Sequence, residues 1–350
     1  MKKVIQIANK LVGTDYSTYI VAEAGSNHNR DFAVAKELIA AAAEAGVDAI
    51  KFQSFRAETH YSQHTPGFTY LRNQGNQQST YELIHSLEIN RDWHAPLMEY
   101  ARKCGIVFLS SPCDTEAVDR LGTLNMAAFK VASFDLPDVH LIRQMAKYKK
   151  PIILSTGMAD YADISDAIDA CHTEGNDQVI LLQCTSLYPS PARLSNLAAM
   201  TTMHHAFNCI VGYSDHTEGD HIALAAVACG AHIIEKHFTL DRTLPGPDHS
   251  FAIQPDELKD MIRKIREIEQ AIGDGLKNGP RDEEREMYEK GRRSLHTLRA
   301  VSAGEVITAD NICVKRPGYG ISPKFLDKVE GMVARRHIPE DHWIRWEDFV

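Results

Sequence analysis

The sequence lacks the features that mark several broad classes of protein. No stretch approaches the ~20 consecutive apolar residues of a membrane helix, and the first residues carry no apolar run of a signal peptide. The formal net charge of -9 provides no basic surface for nucleic acid. The seven cysteines include no CxxC pair, which is typical of reduced thiols. We therefore expect a cytoplasmic protein without disulfides that binds neither membranes nor nucleic acid.

Length and composition indicate a folded protein larger than one average domain. The chain has 350 residues, of which 44% are hydrophobic and 24% are charged, and these fractions are ordinary for a globular protein. The length predicts two domains or one barrel with an appendage. Because the net charge is negative, an anionic substrate would have to be held by a local cluster of hydrogen-bond donors and cations.

Short β-branched runs alternate with amphipathic segments along most of the chain, which is typical of a parallel sheet covered by helices. The predicted strands lie at 19–23, 49–53, 106–110, 128–132, 152–156, 179–183, 210–214 and 232–237. Predicted helices lie at 33–45, 91–103, 115–121, 141–148, 163–174, 217–229 and 255–272. Eight such units predict an α/β fold of the (β/α)8 TIM-barrel type. The alternative is a doubly wound open sheet, but no glycine-rich dinucleotide loop follows the first strand.

The pattern changes near residue 280. We predict a barrel domain over residues 1–280, a charged linker over 281–293, and a small β-rich domain over 294–350. Short strand-like runs at 298–301 and 312–315, broken by Gly304 and Gly318, support the second domain.

In a TIM barrel the active site lies at the C-terminal ends of the strands. Lys51 and Lys130 alternate with apolar residues on two predicted strands, and they would form a clamp for a phosphate or a carboxylate. The hydroxyls that would complete this clamp belong to Ser111, Ser133, Ser155, Ser186 and Ser214. The structural alternative is a salt bridge of a lysine with Glu23 or Asp135, and any single serine is more often a helix cap.

His216 and His237 follow the last two predicted strands, so their imidazoles would converge on one divalent ion. Two nitrogen ligands favour manganese, cobalt, iron or zinc over a site specific for magnesium. The alternative is a pair of loop histidines without a ligand. Glu23 would act as a base, as a partner of the metal site, or as the counter-ion of Lys51. Asp215 and Asp248 would orient an imidazole or accept a sugar hydroxyl.

Several motifs occur together in one order. They are AEAGSNH at 22–28, KFQ at 51–53, GYSDHT at 212–217, IEKHFT at 234–239 and PGPDH at 245–249. The chain resembles the sialic acid synthase family in these motifs, and VKRPG at 314–318 resembles the antifreeze-like (SAF) domain that ends those proteins. The resemblance covers nearly the whole chain.

The resemblance implies an enzyme that condenses phosphoenolpyruvate with an amino-sugar aldehyde to form a nine-carbon 2-keto sugar acid. It implies a divalent ion, most often Mn²⁺, with Mg²⁺ and Co²⁺ as the other candidates, bound by His216 and His237. The catalytic residues would be Glu23, Lys51, Lys130, His216 and His237. Phosphoenolpyruvate would be surrounded by Lys51, Ser111, Lys130, Ser133, Ser155, Ser186, Tyr188 and Ser214. The acceptor sugar would contact Gln53, Asn76, Asp135 and Asp248, and Arg316 would reach it from the partner of a domain-swapped homodimer.

Three positions depart from the family pattern. Asn29-Arg30 displaces a glycine, Asp135 replaces a glutamate, and Ser186 stands where many members carry asparagine. The residues Ala132-Ser133-Phe134 resemble the pseudaminic acid and spore-coat branches more than the N-acetylneuraminate and legionaminic acid branches. Two other functions remain open, namely a metal-dependent aldolase and a subunit of a polysaccharide pathway without turnover.

Overall fold

The computed structural model describes residues 3–68 and 78–350. The chain divides into two compact units, Met1–Gly273 and Asp274–Val350. All seven cysteines are free thiols. Among the described residues, no helix combines the length and the apolar character that crossing a membrane requires.

The first unit is a closed barrel of eight parallel strands, which confirms the predicted fold. The strands are β3 (Tyr19–Gly25), β4 (Ala49–Ser54), β5 (Val107–Pro112), β6 (Phe129–Val131), β7 (Ile152–Ser155), β8 (Val179–Cys184), β9 (Ile210–Asp215) and β10 (Ile233–His237). Each strand pairs with the next, and β10 closes the barrel against β3. All eight predicted strands are present. Each is a short run of buried, mostly apolar residues whose side chains alternate between the inner and the outer face of the barrel.

Helices follow the strands and cover the outside of the barrel. Among the described residues of the first unit they are α1 (Phe32–Ala45), α2 (Ala57–His60), α3 (Thr80–Leu87), α4 (His94–Lys103), α5 (Thr115–Thr123), α6 (Val139–Ala146), α7 (Tyr161–Thr173), α8 (Ala198–Phe207), α9 (His221–Ala228) and α10 (Pro255–Ile272). Local signals set their ends: Asp31 caps α1 by accepting from the Ala33 and Val34 N–H groups, and Gly46 ends it in the left-handed region. The sequence did not predict α2, α3 and α8.

An antiparallel hairpin precedes the barrel and was not predicted. It consists of β1 (Val4–Ile7) and β2 (Lys10–Gly13). Its side chains Ile5, Ile7 and Val12 are buried in one cluster with inward-facing residues from the early parts of the strands, such as Tyr19 and Ile233. The hairpin therefore closes the N-terminal end of the barrel, and the catalytic end of the fold is the opposite one.

The second unit has its own small core. Strands β11 (Ser294–Thr297) and β12 (Ile312–Lys315) pair antiparallel, and short helices α11 (Arg285–Gly291) and α12 (Leu326–Val329) belong to the same unit. The buried residues of this core include Leu295, Val301, Ile338 and Ile344. The predicted strand at 298–301 is wrong, because the partner of β12 lies four residues earlier and Val301 forms only an isolated bridge with Ile338.

Candidate active site

Two lysines and two glutamates meet inside the C-terminal end of the barrel. Glu23 and Lys51 are register partners on β3 and β4, and 2.7 Å separates Lys51 Nζ from Glu23 Oε2. Glu235 lies between the lysines, with its Oε1 3.7 Å from Lys51 Nζ and 3.8 Å from Lys130 Nζ. All four side chains are buried, so each charge depends on its neighbours for compensation.

The pKa shifts show how this charge is distributed. Burial lowers the pKa of Lys51, but Glu23 and Glu235 outweigh it and the pKa is raised. Burial lowers the pKa of Lys130, and Glu235 offsets this only in part. Burial raises the pKa of Glu235, but Lys130 and Lys51 outweigh it and the pKa is lowered, whereas burial dominates at Glu23 and its pKa is raised. Two lysines beside a carboxyl group whose pKa is lowered favour an anionic ligand, and Glu23, whose pKa is raised, is the carboxyl suited to exchange a proton.

Serine hydroxyls surround the two ammonium groups. Lys51 Nζ donates to Ser111 Oγ at 3.1 Å, and Lys130 Nζ donates to Ser155 Oγ at 2.7 Å. Lys130 also donates to the Val131 carbonyl at 2.9 Å. The lysines are thus held by short bonds, and their directions are defined before any ligand arrives.

The other three serines lie in the same region. Ser214 Oγ donates to Glu235 Oε1 at 3.3 Å, and Ser133 Oγ accepts from the Gly157 N–H at 3.0 Å. Ser186 Oγ is buried without a hydrogen-bond partner among the described atoms. An added Cβ at Gly157 would lie 2.4 Å from Ser186 Oγ and 2.9 Å from Ser133 Oγ, so this turn requires glycine for its close approach to both hydroxyls.

His216 and His237 lie side by side, with ring centroids 5.2 Å apart. His216 Nδ1 lies 2.7 Å from the Thr185 carbonyl, to which it donates, so its Nε2 keeps a lone pair. His237 Nδ1 is buried and has no hydrogen bond within the described part of the chain, although Asp248 Oδ2 lies 3.7 Å away. The Tyr188 ring lies 4.4 Å from the His216 ring. Imidazole nitrogens are common ligands of divalent transition metals, so two buried histidines side by side suit such an ion.

Electrostatics keeps one of these imidazoles neutral. Burial, followed by His216 and Lys51, holds the pKa of His237 well below its usual value, so its nitrogen lone pair is available to a cation. Burial also lowers the pKa of His216, but Cys184 and the Thr185 carbonyl outweigh it and the pKa is raised. Burial, followed by Glu23, raises the pKa of Asp248 to about 6. This cluster of perturbed groups is typical of a functional site.

A cavity of about 500 Å³ opens beside these residues, a volume suited to a small-molecule substrate. Its polar lining includes Gln53, Ser111, Asp135, Ser186, Tyr188, His237 and Asp248. Gln53 Nε2 donates to Glu23 Oε1 at 2.7 Å, which ties the cavity wall to the buried charges. Apolar side chains, among them Phe55, Leu83 and Met158, form much of the remaining wall.

The structure separates the sequence-predicted residues into groups. It brings together Glu23, both lysines, the five serines, Tyr188 and the two histidines, with Gln53, Asp135 and Asp248 on the cavity wall. Asn76 lies outside the described residues. Arg316 belongs to the second unit, where it is exposed and its Nε donates to the Gly291 carbonyl at 2.5 Å.

Sequence reasoning missed Glu235 and misassigned Asp215. Glu235 and His237 are two residues apart on β10, so the strand period would have placed both on the inner face.

Lys236 points to the other face, where its Nζ is 2.8 Å from Asp215 Oδ2. Asp215 also accepts from Thr217. Its carboxylate is therefore occupied by a buried ion pair behind the site and does not orient an imidazole or face a sugar.

The fold and the site define a TIM barrel with a buried lysine and serine clamp beside a histidine pair. The chain matches the model of the NeuB family over residues 38–277 and the model of the SAF domain over residues 292–350. The chain therefore belongs to the NeuB family and ends in a SAF domain.

Relatives and solved structures agree with this assignment. The chain is 41% identical to the N,N'-diacetyllegionaminic acid synthase of Campylobacter jejuni, over 94% of this chain and 99% of that protein. It is 39% identical to the spore coat polysaccharide biosynthesis protein SpsE of Bacillus subtilis, over 99% and 97%. The crystal structure of the N-acetylneuraminic acid synthetase of Leptospira borgpetersenii superimposes with a TM-score of 0.74 at 32% identity, covering 83% of this chain and 96% of that one. The two named enzymes are both synthases of sugar acids.

Proposed function

We propose that this protein is a nonulosonic acid synthase of the transferase type. It condenses phosphoenolpyruvate and water with an N-acylated amino-sugar aldehyde, and it releases a 2-keto-3-deoxy nine-carbon acid and phosphate. The observation that carries the proposal is the pair of buried lysines, with their serine hydroxyls, next to a histidine pair on a cavity of about 500 Å³. This arrangement supports an anionic substrate and a neutral second substrate in one site.

Phosphoenolpyruvate carries a carboxylate and a phosphate, and the clamp offers two cations. In this proposal Lys51 and Lys130 each hold one end of the ligand, and the hydroxyls of the five serines and Tyr188 complete its hydrogen bonds. Ser186 supports this role, because its buried Oγ has no protein partner among the described atoms and is free for a ligand oxygen. Hydrogen bonds to Ser111 and Ser155 hold the lysine side chains while the ligand binds, so little free energy is spent on rearranging them.

The divalent ion of the proposal is Mn²⁺, with Mg²⁺ and Co²⁺ as alternatives, and His216 and His237 hold it. When bound, such an ion supplies a Lewis acid that polarises the aldehyde oxygen of the acceptor. The Thr185 carbonyl fixes the tautomer of His216, and Asp248 lies beside His237. These neighbours restrict the orientation of both imidazoles.

The reaction begins when the methylene carbon of phosphoenolpyruvate forms a bond to the aldehyde carbon, while the carbonyl double bond of the aldehyde opens and its oxygen takes up a proton to become a hydroxyl group. Positive charge develops at carbon 2, where water adds and gives up a proton. Glu23 takes this proton, since its pKa is raised by burial and it is held by Gln53 and Lys51. The hydroxyl group at carbon 2 then loses its proton as the bond from carbon 2 to the phosphate oxygen breaks, so phosphate leaves with the bonding electron pair and the 2-keto acid remains. The lysine ammonium groups stabilise the departing phosphate.

The acceptor occupies the cavity in this proposal, where Asp135 and Asp248 accept hydrogen bonds from its hydroxyl and amide groups and the Gln53 amide forms a further one. The named relatives span the legionaminic, spore-coat and N-acetylneuraminic branches. The residues 132–134 favour a pseudaminic or spore-coat type of acceptor, and Phe134 lines the cavity. A sugar with apolar deoxy or acyl groups suits the apolar part of the wall.

The test is phosphate release from phosphoenolpyruvate in the presence of Mn²⁺. The acceptors are N-acetylmannosamine, the 2,4-diacetamido sugars of the pseudaminic and legionaminic routes, and a control without acceptor. We expect release with one acceptor, and we expect a chelator to abolish it. Product formation without phosphate release would support the metal-dependent aldolase. A folded, metal-loaded protein that is inactive with every acceptor would contradict the proposal for these substrates.

Gly157 provides a test of the clamp that leaves its charges unchanged. Gly157→Ala is expected to raise the KM for phosphoenolpyruvate about 10- to 100-fold, because the new methyl group displaces the hydroxyls of Ser133 and Ser186. The KM for the acceptor and the melting temperature should change much less. Steady-state kinetics with each substrate varied in turn measures the difference. Equal changes in both KM values would indicate general distortion instead.

The second structural unit leads to a proposal about assembly. We expect a homodimer in which Arg316, which is exposed within its own unit, completes the acceptor site of the partner subunit. Mixed dimers of inactive Arg316→Ala and inactive His237→Ala chains should then regain part of the activity, because half of the sites carry neither change. Subunit exchange is verified with differently tagged chains. Absence of recovery despite exchange would exclude the shared site.

A further inference from the structure

A second cluster of metal-ligating side chains lies apart from the histidine pair. His60 is the last residue of α2, Cys113 follows β5, and Asp135 ends the short 3-10 turn after β6. One ligand atom from each residue lies within 4.8 Å of the other two. All three side chains are half-buried, and all three line the cavity.

The surroundings hold the histidine of this cluster in place. The His60 ring stacks on Phe55, with centroids 5.9 Å apart and planes inclined by 13°. It meets Tyr61 edge to face at 4.8 Å. Cys113 Sγ lies 3.7 Å from the Ser111 carbonyl. Two of the three donors are therefore oriented by packing and hydrogen bonding before any ion binds.

The donor set defines the kind of ion. An imidazole nitrogen, a thiolate sulfur and a carboxylate oxygen suit a borderline-soft cation such as Zn²⁺ or Co²⁺, whereas Mg²⁺ prefers oxygen ligands. Tetrahedral zinc needs ligand atoms about 3.4–3.6 Å apart, so the cluster has to contract by roughly 1 Å at its widest pair. Since packing and hydrogen bonding orient His60 and Cys113, the Asp135 side chain has to supply most of this movement when an ion binds. Three protein ligands would leave one position open to the cavity.

We propose that His60, Cys113 and Asp135 form a second cation site, for Zn²⁺, on the wall of the cavity, and that its occupation prevents the acceptor sugar from binding. The cation site depends only on the cluster itself. The inhibitory effect rests on the proposed function, because there Asp135 contacts the acceptor. An ion bound to Asp135 removes that carboxylate from the sugar and occupies space in the cavity.

Co²⁺ tests the site without any measurement of activity. Thiolate ligation to Co²⁺ produces a charge-transfer band in the near ultraviolet, which nitrogen and oxygen ligands do not produce. We expect the full-length protein to show this band and Cys113→Ser to lose it. Cys184→Ser is the matched control, since Cys184 Sγ lies 3.8 Å from His216 Nδ1; this variant should keep the band. His60→Gln should weaken Zn²⁺ binding about tenfold or more in a competition titration.

The outcomes separate the alternatives. Absence of the band in the wild-type protein, or its loss in Cys184→Ser with retention in Cys113→Ser, would overturn the cation site. Circular dichroism shows whether each variant is folded, and His60→Gln provides an independent test if Cys113→Ser is not.

Inhibition is measured separately, as the effect of Zn²⁺ on Mn²⁺-dependent phosphate release. We expect inhibition that is competitive with the acceptor and about tenfold weaker in Cys113→Ser than in the wild-type protein, each relative to its own rate without Zn²⁺. Inhibition of equal strength in both proteins would show that Zn²⁺ acts at the histidine pair and would overturn the inhibitory role. A protein without synthase activity would refute the proposed function, while the Co²⁺ band would still decide the cation site.

Discussion

Replacing Lys51 with methionine is expected to abolish turnover and to lower the free energy of unfolding by about 3–5 kcal/mol. Methionine keeps most of the side-chain volume, so packing changes little. The ammonium group, however, is lost from between Glu23 and Glu235, to which it lies 2.7 Å and 3.7 Å away. Both carboxyl groups then remain buried without this cation, and that uncompensated charge is the main source of the destabilisation.

The loss of stability should depend on pH in a defined direction. Without Lys51 the pKa of Glu23, which burial already raises, rises further, and the pKa of Glu235 rises from its lowered position, because the cation that stabilised both ionised forms is gone. The folded variant then binds protons more readily than the unfolded chain, so the destabilisation is largest at high pH and shrinks as pH falls. Urea denaturation of both proteins across pH 5–8 measures this dependence.

A double variant separates the electrostatic cause from a loss of packing. Glu23→Gln removes the carboxylate that loses its ion-pair partner when Lys51 is replaced, so adding it to Lys51→Met should restore part of the stability but none of the activity. Activity should stay at least about 10²-fold below the wild type in both variants, because the clamp has lost a cation. Equal stability of Lys51→Met and wild-type protein would show that the buried ion pair is not the determining interaction.

His216→Ala and His237→Ala are expected to lose the bound divalent ion and to reduce turnover by about 10³-fold or more. A Lewis acid contributes several kcal/mol to such a reaction, and each 1.36 kcal/mol corresponds to a factor of ten. Elemental analysis after dialysis measures the metal content, and phosphate release measures turnover. The fold should persist, because removing an imidazole from the wall of the site leaves only a small void. Such a void destabilises the protein less than an unpaired buried charge does.

The matched control for these variants is His205→Ala, which removes an exposed histidine from α8. It should keep the metal content and the activity of the wild-type protein. Full metal content in both active-site variants would contradict the assignment of the histidine pair as the metal ligands. Retained activity without metal would contradict the Lewis-acid role that the proposed mechanism gives to the ion.

Much of the barrel was predictable because its signals are local. Each strand is a short apolar run between loops, and the order of strands and helices restricts the topology to a few folds. The polar residues that end these runs, such as Lys51 and His237, could be placed at the catalytic end for the same reason. The hairpin β1–β2 was missed, because it is a short pair of strands whose burial comes from the barrel end that it covers.

The sequence by itself determined which residues stand at the strand ends, since a period of two assigns each side chain to one face of the sheet. Only the tertiary structure decided how the ends meet. Neighbours on β10 show this: Glu235 lies between two lysines inside the barrel, while Lys236 pairs with Asp215 outside it. The cluster of His60, Cys113 and Asp135 brings together the end of α2, the residue after β5 and the 3-10 turn after β6. Closure of the barrel sets such distances, and residues far apart in sequence carry no local signal of them.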